Sequence, residues 1–196
     1  MSCDIVLVGV GGQGVLTIAD LLIRSAFEAE VPATYAPTKG MAQRGGFVKA
    51  EIRLGKDGVG PRIGDGEADL VVGMERSESL RGLRFLRPEG TFLLFDHVWE
   101  PTGVQLGNDE YPKTEQVVEE IRSVSDRVIL LDPADLPSID GRSVSPNVYV
   151  LGAMLGGTTV GDLLTTALVE KTVSARWPKA SEANVAAFRA GLEAAE

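Results

Sequence analysis

Thiols, imidazoles, basic charge and long apolar runs are all scarce in this chain of 196 residues. It has one cysteine, Cys3. A single thiol makes no disulfide within the chain and falls short of the about four thiolates that an iron–sulfur cluster takes, so Cys3 reads as a small buried residue ahead of the first strand. The one histidine, His97, follows Phe92-Leu93-Leu94-Phe95 and Asp96. That is the carboxyl end of a strand, where open α/β sheets place ligands. No paired nucleophile or orienting group accompanies it in the sequence, so a surface or structural role is the default reading and no catalytic residue is assigned. No apolar run reaches the about 18 residues a membrane span needs, and no basic leader precedes an apolar core. A cytoplasmic location without membrane contact is therefore expected. The 19 Lys and Arg are outnumbered by 28 Asp and Glu, a net charge of −9. That balance repels a nucleic-acid backbone and excludes nucleic acid as an expected partner. No metal-ligand cluster is evident.

Glycine, by contrast, is concentrated in two places. The first is Gly9-Val10-Gly11-Gly12-Gln13-Gly14, between the apolar run Ile5–Val8 and the helically spaced apolar residues of Val15–Leu22. Strand, tight turn and helix follow in order. On this reading Gly9 permits the turn, Gly11 lets backbone approach a ligand, and Gly14 lets helix and strand pack closely. Free amides at the helix start favour a phosphate or carboxylate. A nicotinamide site would also want an acid at the end of the second strand, roughly 20 residues on, for the ribose hydroxyls. The second strand runs through Ala33–Ala36 into Pro37-Thr38-Lys39 and carries none, while Glu28 and Glu30 sit at the preceding helix end. No Gly-Lys-Ser/Thr follows the glycines, so a Walker-type triphosphate site is unsupported. A purely structural glycine turn stays open beside the anion-binding reading.

The second segment, Lys39-Gly40-Met41-Ala42-Gln43-Arg44-Gly45-Gly46, sets Lys, Gln and Arg among glycines with no helical or strand period. Glycines allow successive amides to point at an anion, and the Arg44 guanidinium offers a planar fork of donors. The same loop has two other uses: a solvated hairpin connection, or a docking element in which Met41 and Phe47 are buried by a partner.

Along the rest of the chain, strand-like apolar runs alternate with amphipathic helical ones. This is the pattern of an open, mostly parallel α/β sheet covered by helices on both faces, of Rossmann-like type, in one domain over 1–196. Phe47–Arg53 alternates with period two, and Gly55-Lys56-Asp57-Gly58 supplies turn chemistry, which predicts a half-exposed strand entering a hairpin after the second glycine segment. Ala68–Gly73 reads as a buried strand, Ser77–Leu86 as a helix closed by Pro88 and Gly90, and Thr91–Phe95 as the next core strand. Gln116–Arg122 is helical with Val117, Val118 and Ile121 on one face, and Arg127–Leu131 is a strand. Ser145 as N-cap with Pro146 opens a helix through Leu155. Two further helices carry the stripes Val160, Leu163, Leu164, Leu168 and Val185, Phe188, Leu192.

The passages GVGGQGVLTIADLL, KGMAQRGGFVKAEIR and GEADLVVGMERSESLRGLRFLRPEGTFLLFD, in this order, resemble the gamma subunit of 2-oxoacid:ferredoxin oxidoreductases. The resemblance continues through Ser145–Ala153 and Asn184–Gly191, and MAQRGG is its most specific part. The beta subunit of indolepyruvate:ferredoxin oxidoreductase is the same kind of domain. The resemblance implies a subunit of a complex that decarboxylates a 2-oxoacid oxidatively to an acyl-CoA and passes electrons to ferredoxin. Such a complex uses thiamine diphosphate, magnesium, iron–sulfur clusters and coenzyme A. Gly64-Asp65-Gly66 imitates the start of a thiamine diphosphate and magnesium motif, but the only asparagines are Asn108, Asn147 and Asn184, so the expected Asn-Asn is missing and the segment reads as a turn. The thiamine and cluster chemistry is then expected on partner subunits. This chain is expected to complete the assembly and to meet the phosphates of coenzyme A through Gly11, Gly12, Gln13, Gly14, Lys39, Arg44 and Gly45. The isolated chain is a candidate homodimer if an apolar face normally covered by partners is exposed. Two other classes stay open: a sensing or assembly module of the same fold, and a dinucleotide-dependent oxidoreductase.

Overall fold

A strand buried on both faces needs apolar residues at successive positions, and the first strand, β1 (Cys3–Val10), has them from Ile5 to Val8, while its one charged residue, Asp4, is buried against Arg53 and Lys56. In the computed structural model, which describes residues 1–39, 45–139 and 142–195, Cys3, Ile5 and Leu7 face one apolar cluster and Val6 and Val8 the other. Helix α1 (Val15–Glu28) follows, burying Ile18, Leu21 and Leu22. Next come β2 (Ala33–Lys39), β3 (Phe47–Leu54) and β4 (Ala68–Gly73), then α2 (Arg76–Leu83) and β5 (Leu86–Phe95). A one-turn helix, α3 (Thr102–Gln105), precedes α4 (Thr114–Arg122) and β6 (Val128–Leu131). Two short strands, β7 (Ser138–Ile139) and β8 (Arg142–Ser143), lead to α5 (Pro146–Gly157), α6 (Val160–Leu163), α7 (Thr166–Arg176) and α8 (Ser181–Ala194).

The main sheet has the order β2-β3-β1-β4-β5-β6. Strands β1, β4, β5 and β6 run parallel, and β3 pairs antiparallel with both β1 and β2. Helices cover both faces, as the alternating pattern implied. The larger cluster joins α1, α5, α7 and α8 to Leu7, Val72 and Leu93, and the smaller joins Val117 and Ile121 of α4 to Val71, Phe92 and Leu94. No helix among the described residues is long and apolar enough to cross a membrane.

Four expectations need correction. The hairpin lies one element earlier than the Gly55–Gly58 turn suggested: β2 pairs with β3 from Ala33 opposite Leu54 to Lys39 opposite Val48, so the second glycine segment is the hairpin's own connection. Strand β2 is therefore an antiparallel edge, and the parallel second strand on which a dinucleotide fold carries its ribose acid is absent from this side of β1. The helix expected to reach Leu86 stops at Leu83, because Arg84 and Phe85 turn to receive the amides of Gly66 and Ala68, and Leu86 already begins β5, with a register irregularity between Ala68 and Leu70. The stripe from Val160 to Leu168 is shared by two helices, since Leu164 adopts an extended conformation between α6 and α7.

Helix α5 is apolar all round because it is sandwiched between sheet and α8. Their approach is set by glycine. A Cβ on Gly152 would overlap the Phe188 carbonyl oxygen, and one on Gly191 would overlap that of Tyr149. We predict that Gly191→Ala lowers stability by about 1–3 kcal/mol, the usual cost of forcing a methyl group into a packed core. Urea unfolding should register this as an earlier midpoint with unchanged slope; a wild-type midpoint would mean the two helices have room to separate.

Candidate functional site

The carboxyl ends of β1, β4 and β5 converge on an open cleft of about 800 Å³. One side chain joins all three. The Val10 amide donates to Gln13 Oε1 (2.9 Å), and Gln13 Nε2 donates to the Met74 carbonyl (2.7 Å) while lying 3.2 Å from His97 Nδ1. The His97 ring stacks on Phe95 with centroids 6.1 Å apart, and its carbonyl accepts from the first amide of α2, on Arg76. Gly9 leaves the volume for this arrangement, since a Cβ there would lie 2.8 Å from Gln13 Oε1 and 2.9 Å from Met74 Cβ. Its role is space for Gln13, not the turn, which is made by the positive φ of Gly12 (107°) and Gly14 (83°).

Two helix starts border the cleft. Gly14 caps α1 in a left-handed conformation with no side-chain bond, and among the described residues the amides of Gly12, Gly14, Val15 and Leu16 have no hydrogen-bond acceptor. Ser145 is the N-cap of α5, as its sequence position implied, but its hydroxyl caps no amide, and Ser145, Pro146 and Asn147 line the cleft instead. Gly14 and Asn147 meet: a Cβ on Gly14 would lie 2.5 Å from the Asn147 side-chain nitrogen. The close packing that Gly14 allows is thus with α5 rather than with a strand. Trp99 and Trp177 supply further walls. The cleft lining among the described residues contains no Asp, Glu, Lys or Arg, although the chain as a whole carries a net charge of −9. Open helix starts without an opposing carboxylate favour an anion.

The second glycine segment is tied to the first. The Gly11 amide donates to the Gly46 carbonyl (2.8 Å) and the Gly45 amide to the Gly11 carbonyl (3.4 Å). Of the seven residues read as ligand contacts, Gly11, Gly12, Gln13 and Gly14 lie in the cleft wall. Gly45 borders a smaller neighbouring cleft of about 360 Å³. Lys39 ends β2, and Arg44 lies outside the described residues, as does Met41. His97, read as surface or structural, is half-buried in the main cleft. The strand-end position was its signal. Ser145 and Asn147 had a signal too, as a helix start, but Trp99 and Trp177 had none.

The smaller cleft is acidic, with Glu75, Glu78 and Glu100, and shares the Trp99 wall. Glu75 is buried and caps α2 through the Glu78 amide. It also accepts from the Trp99 amide (3.2 Å) and from the Tyr111 hydroxyl. Burial pushes the Tyr111 hydroxyl far above its ordinary range, and the Glu75 carboxylate adds to this. Burial likewise lifts the Glu78 carboxyl, with the Glu75 charge contributing. Arg76 grips Asp96 with two nitrogens (2.6 and 2.8 Å) and lies over the Tyr111 ring. This network fastens the segment after β5, which bears His97 and Trp99, onto the start of α2. Among the described residues no group of three or more His, Cys, Asp or Glu is placed to hold a metal ion.

Residues 4–194 match the family described as pyruvate ferredoxin/flavodoxin oxidoreductase. Indolepyruvate oxidoreductase subunit IorB of Archaeoglobus fulgidus is 36% identical over 80% of this chain and 77% of its own length. The IorB subunit of Pyrococcus horikoshii is 32% identical over 98% of this chain and 96% of its own. In fold the chain is similar to pyruvate oxidoreductase subunit PORC of Thermotoga maritima, with TM-score 0.70, 21% identity and coverage of 98% and 96%. It also resembles part of 2-oxoglutarate:ferredoxin oxidoreductase from Magnetococcus marinus, a structure with 2-oxoglutarate, coenzyme A and succinyl-CoA bound. There the TM-score is 0.63 at 14% identity, over 99% of this chain and 31% of that one.

Gly14→Ala should cost about 1–2 kcal/mol from the left-handed backbone alone, plus the overlap with Asn147. Adding Asn147→Ala, which removes the amide but keeps the Cβ 2.9 Å away, should recover only part of that overlap, measurable as a double-mutant cycle in urea; a cycle with no coupling would contradict the contact between the two helix starts.

Proposed function

The chain belongs to the pyruvate ferredoxin/flavodoxin oxidoreductase family, and from that membership we propose that it is the gamma-type subunit, of IorB kind, of a cytoplasmic thiamine-diphosphate-dependent 2-oxoacid:ferredoxin oxidoreductase that borders the place where coenzyme A arrives. The overall reaction is oxidative decarboxylation of a 2-oxoacid to an acyl-CoA with electrons passing to ferredoxin. Thiamine diphosphate, magnesium and the iron–sulfur clusters belong, on this reading, to partner subunits: Cys3 is buried, with its thiol pushed up to about 11, chiefly by burial. A thiol so held is a poor cluster ligand, since it is the thiolate that binds metal.

The observation that carries the coenzyme A reading is a cleft between two open helix starts whose described lining is uncharged, in an otherwise acidic chain. The donor set fits a phosphorylated ligand. The amides of Gly12 and Gly14 and the start of α5 with Ser145 would receive phosphate oxygens, and the aromatic walls suit a planar ring. Coenzyme A supplies the thiol that accepts the acyl group; this chain's residues bind and orient it. Because the described lining offers no cation, Lys39 and Arg44 of the neighbouring segment are the residues that would complete the charge. The coenzyme A bound in the Magnetococcus marinus enzyme is consistent with this reading.

Arg44→Ala in the assembled complex separates the two uses of the second glycine segment. If that segment meets coenzyme A, the KM for coenzyme A should rise about tenfold or more, the worth of one charge-assisted hydrogen bond, with subunit stoichiometry intact. Loss of assembly on gel filtration at wild-type KM would instead make it an interface, and neither effect would remove Arg44 from the site.

A further inference from the structure

The Gln13 side chain has its orientation fixed by backbone at both ends. A backbone amide donates to one terminal atom, so that atom is the oxygen; a backbone carbonyl accepts from the other, so that atom is the nitrogen. The nitrogen's remaining hydrogen faces His97 Nδ1 at 3.2 Å. Nδ1 must therefore accept, and an imidazole that accepts at Nδ1 carries its single proton on Nε2. Phe95 supports the ring from one side, and Nε2 has no partner among the described residues, while the ring itself lines the main cleft.

We propose that His97 is a ligand-contacting residue, locked by Gln13 as the neutral Nε2–H tautomer so that it presents one directional donor to an acceptor oxygen of the ligand in the cleft. This rests on the reading of that cleft as the coenzyme A site and adds a residue to it. The arrangement gives Gln13 a purpose beyond bracing the turn. A carboxylate at the same position would accept from Nδ1–H, move the proton, and turn Nε2 into an acceptor facing phosphates. An amide at position 13 prevents this. The glycine at position 9 is what lets that amide fold back, since any Cβ there would press on Gln13 Oε1.

His97 is the only histidine in the chain, so nitrogen-15-labelled histidine gives one imidazole to read. Long-range proton–nitrogen correlation spectra of the full chain at mildly alkaline pH should show a pyrrole-type Nε2 and a pyridine-type Nδ1. Gln13→Glu should invert the pattern. A wild-type imidazole with its proton on Nδ1, or with both nitrogens averaged, overturns the lock. In the assembled complex, His97→Leu should raise the KM for coenzyme A about tenfold, and His97→Gln, which keeps a side-chain N–H, should recover most of the loss. If Gly14→Ala or Arg44→Ala raises that KM while His97→Leu leaves it unchanged, the cleft reading stands and the role of His97 falls. If none of the three moves it, the coenzyme A reading itself falls, and the tautomer spectrum still decides whether Gln13 sets the proton.

Discussion

The hydrogen bonds of the Gln13 amide are the constraint on which the candidate site depends. They join the ends of β1 and β4 to His97, two residues beyond β5, and the longest of them spans 84 positions in sequence. Each such bond is worth only about 0.5–1.5 kcal/mol net. Their importance is geometric. With Gln13 in place, the Val10 amide is satisfied, Met74 is held under the glycine turn, and the His97 ring has one orientation. An apolar side chain at position 13 would leave the Val10 amide unpaired at the buried end of β1, at a cost of about 1–3 kcal/mol.

Two further structures hold the remaining walls. On one side, Glu75 gathers the Glu78 and Trp99 amides and the Tyr111 hydroxyl, and Arg76 grips Asp96, so the segment leaving β5 is fastened to α2 at several points. On the other, the glycine contacts between α5 and α8 set where α5 lies, and hence where Ser145 and Asn147 meet the turn before α1. A buried carboxylate and a glycine-lined helix crossing thus act on the same cleft from opposite ends. Neither lines the main cleft. Both explain why a glycine turn, common by itself, becomes here a cleft bordered by two helix starts and an imidazole.

Much of the architecture was legible in the sequence because burial on both faces leaves unbroken apolar runs, as in Ile5–Val8 and Phe92–Phe95, and because Pro146 after Ser145 marks a helix start. What the sequence concealed was pairing. The alternation of Phe47–Arg53 tells that a strand forms but not which neighbour it takes, and Arg53, which reads as a solvent position, is turned inward onto Asp4 at 2.6 Å. The end of α2 was obscured because the amides of Gly66 and Ala68, distant in sequence, capture Arg84 and Phe85. In the site, the glycines announced themselves by composition. Their individual roles did not, since whether a glycine serves a positive φ, as Gly12 does, or a neighbour's side chain, as Gly9 does, depends on contacts with Met74 and Asn147 that no local spacing encodes.

The central claim is that this chain acts as one subunit of a larger 2-oxoacid-oxidising assembly, with its cleft serving chemistry carried out on partner chains. Affinity purification of the chain from its native cells, with mass spectrometry of the proteins retained and an anaerobic assay of 2-oxoacid-dependent ferredoxin reduction, tests it directly. The account predicts thiamine-binding and iron–sulfur subunits in the retained fraction, together with ferredoxin reduction that requires both a 2-oxoacid and coenzyme A. A solitary chain, with no such activity in the fraction, would contradict it.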